Sequence, residues 1–278
     1  MCEVHCHCHF QAKFIRPASE PIKQEIKCGN IDFPQIGNND TTCIKVPDDL
    51  VHHWQHMNVT ILECNSIERS TSGQNNCPDW FKHRRNRLTA SNFGRIMSRK
   101  TVPSDSFLLN LLRPKSFSSA STSYGSAQEP KAKEKFIEVK PSCHLHKCGF
   151  VISPDLSFMG ATPDAKVCEA GVSGILEVKC PYSMRDLTIQ EALAKNAPDF
   201  CLQINNDMIT LKEDHPYSYQ VQGQLLITGA PFCYFMVYTR VDCCILKVLP
   251  KKQIIKSLAE RMINFYVDFA KPFFESHP

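Results

Sequence analysis

At 278 residues, 42% of them hydrophobic, the chain has material for one or two domains with a packed core. A formal net charge of only +4 excludes a whole-molecule basic field, so any nucleic-acid contact has to come from local clusters such as Lys82 to Arg87 and Lys131 to Lys135. No stretch approaches the roughly 20 apolar residues of a membrane span. Met1 to His5 has neither the basic start nor the apolar run of a secretory signal. The fifteen cysteines are therefore expected as reduced thiols in cytosol or nucleus, not as a disulfide framework.

Taken in chain order, residues 1–77 read as a mostly irregular segment that opens with Cys2, His5, Cys6, His7, Cys8 and His9. These ligand types suit zinc, with Cys2, His5, Cys6 and Cys8 the candidate ligands. Ligands packed so tightly cannot all wrap one tetrahedral ion, and Cys28 and Cys43 are badly spaced as a second pair. The alternatives are the tail of a zinc module whose front is missing here, or an incidental tract.

From residue 78 the pattern becomes regular. Helices are expected over Trp80 to Arg87 and Ser91 to Ser98, then a short apolar piece at Leu108 to Leu112 and a Ser-rich loop from Ser116 to Ser123. Pro130 to Lys140 is expected as helix. Cys143-His144-Leu145-His146-Lys147-Cys148 is expected as a loop with incidental thiols. Strands are expected at Gly149 to Ser153, Ser157 to Thr162 and Gly174 to Lys179, forming a meander, with a turn at Gly171 to Gly174. Arg185 to Lys195 is expected as helix. Phe200 to Ile204 and Met208 to Leu211 flank Asn205-Asn206-Asp207, a hairpin turn signal. A helix over Tyr217 to Thr228 and strands at Phe232 to Thr239 and Cys244 to Leu249 follow. A closing helix, Gln253 to Phe273, carries an apolar stripe expected in the core or a subunit contact.

The chemistry concentrates at Pro163-Asp164 and, thirteen residues after the aspartate, Glu177-Val178-Lys179. On a strand, residues i and i+2 share a face, so Glu177 and Lys179 project together while Leu176 and Val178 face the other side. An acid and a lysine on an apolar strand are costly without partners. A divalent cation and a phosphate would meet both charges: Asp164, Glu177 and the Val178 carbonyl offer the oxygen ligands Mg2+ prefers, and Lys179 can orient water or stabilise an oxyanion. Taken alone, such a spacing also arises by chance. Arg84, Arg85 and Arg87 ahead of Thr89-Ala90-Ser91 place cations before a helix start, where phosphate is favoured. Ser91 reads equally as a plain N-cap for Asn92 to Ser98, and the arginines as a solvated face.

The ordered set Trp80…Arg84…Arg87-Leu88-Thr89-Ala90-Ser91, Tyr124-Gly125…Glu129-Pro130, Gly160-Ala161-Thr162-Pro163-Asp164, Leu176-Glu177-Val178-Lys179-Cys180 and Tyr217 to Leu225 resembles the YqaJ-like viral recombinase family, a branch of the PD-(D/E)XK nucleases that includes phage lambda exonuclease. The likeness spans residues 78 to 278. It implies an α/β fold of restriction-endonuclease type, a mixed central sheet flanked by helices. It implies Asp164, Glu177 and Lys179 as the catalytic core, with Glu129 at a second metal and Gln220 near the water. It implies Arg84 and Ser91 as holders of a terminal 5′-phosphate. Two Mg2+ ions, with Mn2+ as substitute, would serve 5′→3′ exonuclease action on duplex DNA ends. The likeness further implies a single-strand-annealing partner and a homo-oligomer of ring-trimer type; a DNA substrate suggests a nuclear setting. Glu129 before Pro130 reads equally as a charged residue on a solvated helix, and only one of Gln220 and Gln222 can serve the site. The alternatives are an endonuclease or RNase with the same core, or a non-catalytic nucleic-acid-binding or interaction module.

Overall fold

The structure, a computed structural model, describes residues 4–6 (backbone only), 28–35, 44, 46–113 and 119–277. Of the zinc ligands expected at the N-terminus, Cys2 and Cys8 lie outside the described residues, as do the side chains of His5 and Cys6. Among the described residues, no helix is long and apolar enough to cross a membrane.

In chain order the elements are β1 (Val4–Cys6), α1 (Asp48–Val51), α2 (Ile61–Ser70), α3 (Pro78–Arg84), β2 (Leu88–Thr89), α4 (Ala90–Met97), α5 (Asp105–Leu112) and α6 (Ala120–Val139). There follow β3 (Cys143–His146), β4 (Val151–Ile152), β5 (Met159–Ala161), β6 (Ala165–Glu169), β7 (Val172–Lys179) and α7 (Ile189–Ala194). The last third holds β8 (Leu202–Asn205), β9 (Met208–Leu211), α8 (Pro216–Thr228), β10 (Cys233–Tyr238), β11 (Cys243–Val248), α9 (Lys252–Phe265) and α10 (Lys271–Ser276).

The expected α/β architecture is present. A six-stranded sheet runs β1-β11-β10-β7-β6-β3, with β7 and β10 parallel and the other neighbours antiparallel. Strand alternation sorts its two faces. Leu176 and Val178 join Ala132 and Phe136 of α6 on one face, while Ile175, Phe235 and Val237 join the larger core beneath α4, α8 and α9 on the other. Glycine sets the approach of α4 to α8: a Cβ at Gly223 would lie 2.4 Å from the Phe93 ring, and one at Gly94 would lie 2.5 Å from the Pro216 backbone.

Several expectations are corrected. The three strands expected as one meander are divided between two sheets: β4 and β5 belong to a small sheet with β2, and only β7 lies in the main one. The turn falls one step earlier, at Ala170 (φ 50°) and Gly171 (φ 82°), so Val172 to Gly174 are already strand. The Ser-rich stretch is partly helical, because Ser119 caps α6 by accepting from the Thr122 N–H. The same helix runs through Pro130, next to the exposed Ser126, whose carbonyl can turn to water. The closing helix is interrupted by a wide π turn at Tyr266–Ala270 just before Pro272, which has no N–H to continue the ladder. Its apolar stripe is in the core: Leu258, Met262, Phe265 and Phe273 are all buried there.

Residues 46–77 are not irregular. Thr60 and Glu63 form a reciprocal capping box at the start of α2. Trp54 and Met57 enter the main core. Buried Glu68 pairs with buried Lys166 of β6 at 2.7 Å and accepts the Gly149 N–H at 2.8 Å. Gln74 donates to the Pro163 carbonyl at 3.1 Å, which ties this segment to the peptide beside Asp164.

Candidate active site

Asp164 lies on the short link between β5 and β6, and its N–H donates to the Leu176 carbonyl at 3.0 Å. Its Oδ2 accepts the Val178 N–H at 2.6 Å, which aims the carboxylate along β7. Glu177 and Lys179 leave β7 on the α8 side, as strand alternation predicts. Glu177 Oε1 accepts from Lys179 Nζ at 2.6 Å and from Gln220 Nε2 at 2.6 Å, and Oε2 accepts from Gln224 Nε2 at 2.7 Å. Lys179 also donates to Gln220 Oε1 at 3.1 Å, and its ammonium lies 4.5 Å from the Tyr217 ring centroid.

Of the helix glutamines, Gln220 and Gln224 reach Glu177, because residues four apart share a helix face. Gln222 points elsewhere, donating to the Leu249 carbonyl and accepting the Lys251 N–H. Gln224 is the site residue that sequence reasoning missed. The i, i+4 spacing from Gln220 was the signal for it.

Burial, then the neighbouring Glu177 and Glu129 carboxylates, raise the Asp164 carboxyl well above its ordinary range. For Lys179, burial alone would favour the neutral amine. The Glu177 and Asp164 charges outweigh it and hold the ammonium protonated. Burial, reinforced by Asp164 and Glu129, pushes the Cys180 thiol up to about 12. The site is thus a partly desolvated concentration of negative charge, offset by Lys179 at Glu177 and by Lys133 at Glu129.

The donor set fits a hard, oxygen-seeking cation. Among the described residues no side chain hydrogen-bonds Asp164 Oδ1, Glu177 Oε2 has one partner for two lone pairs, and the Gln224 Oε1 beside it is buried without a partner. Mg2+ takes one or two carboxylates and keeps several waters, so Asp164, Glu177 and the Val178 carbonyl are a sufficient protein share. Among the described residues, no three His, Cys, Asp or Glu side chains form a ready-made cage. Glu129 faces this region closely enough to act on Asp164 electrostatically, but it accepts Lys133 Nζ at 2.6 Å.

The remaining predicted residues divide. Arg84 donates to Thr162 Oγ1 at 3.3 Å, two residues before Asp164, and stacks 4.0 Å over the Trp80 ring. Burial lowers its guanidinium to about 10, and among the described residues no carboxylate pairs with it. Arg87 has other duties: it donates to the Ser157 carbonyl at 2.8 Å and the His83 carbonyl at 2.8 Å, locking α3 to the small sheet. Ser91 is not the cap of its helix. Thr89 occupies that position without a side-chain cap bond, and exposed Ser91 lies in the first turn, its Oγ 3.1 Å from Thr89 Oγ1.

A mixed sheet with Asp164 beside a strand-borne Glu-x-Lys, covered by a glutamine helix, defines a nuclease-type α/β domain. The chain belongs to the YqaJ-like viral recombinase domain family, which matches residues 79–231. The packed body extends beyond that match on both sides. The alkaline nuclease of Autographa californica nuclear polyhedrosis virus is 25% identical over 266 residues, covering 84% of this chain. The alignment covers 59% of that relative, so the chain spans about three-fifths of its length.

Solved structures of similar fold include the alkaline exonuclease of Laribacter hongkongensis (TM-score 0.54, 21% identity, 71% of this chain and 94% of that one). The Kaposi's sarcoma-associated herpesvirus SOX protein in complex with DNA is also similar (TM-score 0.54, 14% identity, 76% and 72%). So is the same SOX protein in complex with RNA (TM-score 0.52, 15% identity, 76% and 74%). At these identities the likeness is one of fold.

Proposed function

We propose that the chain is a Mg2+-dependent deoxyribonuclease that degrades duplex DNA 5′→3′ from its ends. The observation that carries this reading is the Glu177 carboxylate, shared between Lys179 and Gln220 and set beside an Asp164 whose charge is disfavoured without a cation. The divalent ions, when bound, acidify water and offset charge on the phosphate. Asp164, Glu177 and the Val178 carbonyl would hold the first Mg2+. Glu129, released from Lys133, would serve a second or its water shell. Mn2+ accepts the same oxygen ligands.

The chain's own groups do the positioning. Lys179 stays protonated, so it acts as donor and electrostatic stabiliser and not as general base. Gln220 fixes both partners, its amide nitrogen on Glu177 and its amide oxygen on Lys179. Arg84, a half-buried cation with no carboxylate partner among the described residues, supports binding of a terminal 5′-phosphate with Ser91 and the open first turn of α4. That placement favours exonuclease over endonuclease action. An annealing partner and a ring-shaped homo-oligomer extend the same reading by family likeness.

The test uses end-labelled linear duplexes with and without 5′-phosphate, with Mg2+ or Mn2+, and a matched RNA. The expected result is metal-dependent release of mononucleotides, faster from phosphorylated ends and absent in Lys179→Ala. Internal fragments would refute the exonuclease mode. Preferential loss of the RNA would refute the DNA assignment, and an intact substrate with both metals would refute the enzyme.

A further inference from the structure

The sequence presents cysteine and histidine in two tracts, and the fold combines them in an unexpected way. His144 and His146 sit on one face of β3 two residues apart, and Cys168 of β6 is the direct cross-strand partner of His144. Cys28 lies above them on the segment 28–30, which packs against the β6–β7 turn so closely that a Cβ at Gly29 would sit 2.3 Å from the Gly171 carbonyl. Cys28 Sγ is 3.3 Å from His144 Nδ1 and 3.2 Å from His146 Nε2. The fully buried Cys168 thiol, on the strand paired with β3, lies close enough to Cys28 to act on it. His144 and His146 are neighbours in sequence, but nothing in the spacing joins Cys28 or Cys168 to them.

We infer that Cys28, His144, His146 and Cys168 form a structural Zn2+ site, separate from the catalytic centre. The ligand count and types are those of closed tetrahedral zinc sites. With zinc–sulfur and zinc–nitrogen bonds of about 2.3 and 2.0 Å, the S···N edges of such a tetrahedron are about 3.5 Å long. The two S···N separations here, 3.3 and 3.2 Å, fall a few tenths of an ångström short of that. As placed, the groups hydrogen-bond to one another and no three of them yet surround a common point. Three of the four stand on paired strands, and the loop-borne, half-buried Cys28 is the member that can turn to complete the set.

Binding exchanges the two thiol protons for one Zn2+ and leaves a centre with no net charge, suited to a partly buried place. Cys168 lies four residues along β6 from Asp164, about 13 Å at strand rise. The ion would clip the chain near residue 28 to the edge of the main sheet, joining residues more than a hundred positions apart.

The test is Co2+ and Zn2+ loading of the purified full chain under reducing conditions, read by metal content and by cobalt–thiolate absorption. Cys28→Ser and His144→Gln are compared with a Cys2→Ser/Cys6→Ser/Cys8→Ser variant. The expected result is one tightly held ion, thiolate absorption retained in the N-terminal triple variant, and affinity lowered at least about tenfold in Cys28→Ser and His144→Gln. Circular dichroism confirms folding of each variant, and chelation should lower the Tm of the wild type but not of Cys28→Ser. Three outcomes would overturn the site: no bound metal in the folded chain, binding lost only in the triple variant, or a Cys28–Cys168 disulfide recovered in place of metal.

Discussion

Gln224 donates to Glu177 Oε2 at 2.7 Å while its own Oε1 is buried without a hydrogen-bond partner. An orphaned buried acceptor costs about 1–3 kcal/mol, and this one stands where the water shell of a bound cation would supply donors. Gln224→Leu removes the unsatisfied oxygen and releases Glu177 together. The expected outcome is a fall in kcat of about tenfold to a hundredfold, on the scale of one lost hydrogen bond to a charged group, with thermal stability little changed, because the orphaned Gln224 oxygen goes while Glu177 Oε2 loses its donor. Steady-state kinetics over a Mg2+ titration, paired with thermal melts, check both. An unchanged kcat would show that Gln224 merely fills space.

Arg84 supports a second prediction, on end recognition. Its guanidinium is half-buried, stacked on Trp80, and has one side-chain hydrogen bond, to Thr162. A charge-assisted contact to phosphate contributes about 1.5–3 kcal/mol, so Arg84→Ala should slow degradation of 5′-phosphorylated ends by about tenfold to a hundredfold. Turnover of 5′-hydroxyl ends should change little. Equal losses on both ends would place Arg84 in the scaffold.

These sites differ in how far they were legible beforehand. Glu177 and Lys179 could be placed on one face because strand alternation is local, and Gln220 came with its motif. The Asn206-Asp207 hairpin was legible for the same reason: both residues adopt positive φ, 49° and 61°, as a two-residue turn requires. β3 and β6 were not seen, because Cys143 to His146 and Ala165 to Glu169 carry polar residues that are explained only by partners far away in sequence. Lys166 has no visible reason to be buried until Glu68 is known to face it. Helix α2, polar along most of its length, announces itself only through its Thr60–Glu63 capping box.

Asp164 ties function to stability, and the sign can be worked out. Its folded-state carboxyl titrates above the ordinary value of 3.8. The folded state therefore favours the protonated form, and metal-free protein loses stability as pH rises from that ordinary value through the raised one. Asp164→Asn removes the effect and can keep the Val178 N–H bond. Without metal at pH 8, the variant is expected to melt about 2–6 °C above the wild type, for about 1–2 kcal/mol, and the two curves should converge toward pH 4. Added Mg2+ should raise the wild-type Tm and leave the variant unmoved. A variant that melts lower than the wild type at pH 8 contradicts the argument.

The Glu68–Lys166 pair tests whether α2 is integral to the body that carries the candidate site. Both side chains are almost completely buried, at 1% and 5% exposure, and meet at 2.7 Å. Removing one member of such a pair strands the other charge, a cost of about 3–5 kcal/mol, whereas replacing both by apolar groups is often neutral. Glu68→Gln keeps an acceptor for the Gly149 N–H but leaves Lys166 without its counter-charge. Urea unfolding should therefore show a large loss for Glu68→Gln and partial recovery in Glu68→Leu/Lys166→Met, which removes both charges but leaves the Gly149 N–H without its acceptor. Because Lys166 lies two residues from Asp164, the single variant should also lose activity at temperatures where it remains folded, and the double variant should regain it. If Glu68→Gln changes stability by less than about 1 kcal/mol, the pair is reached by water, and α2 is held by the packing of Cys64 and Ile67 against Phe150 and Ile152 instead.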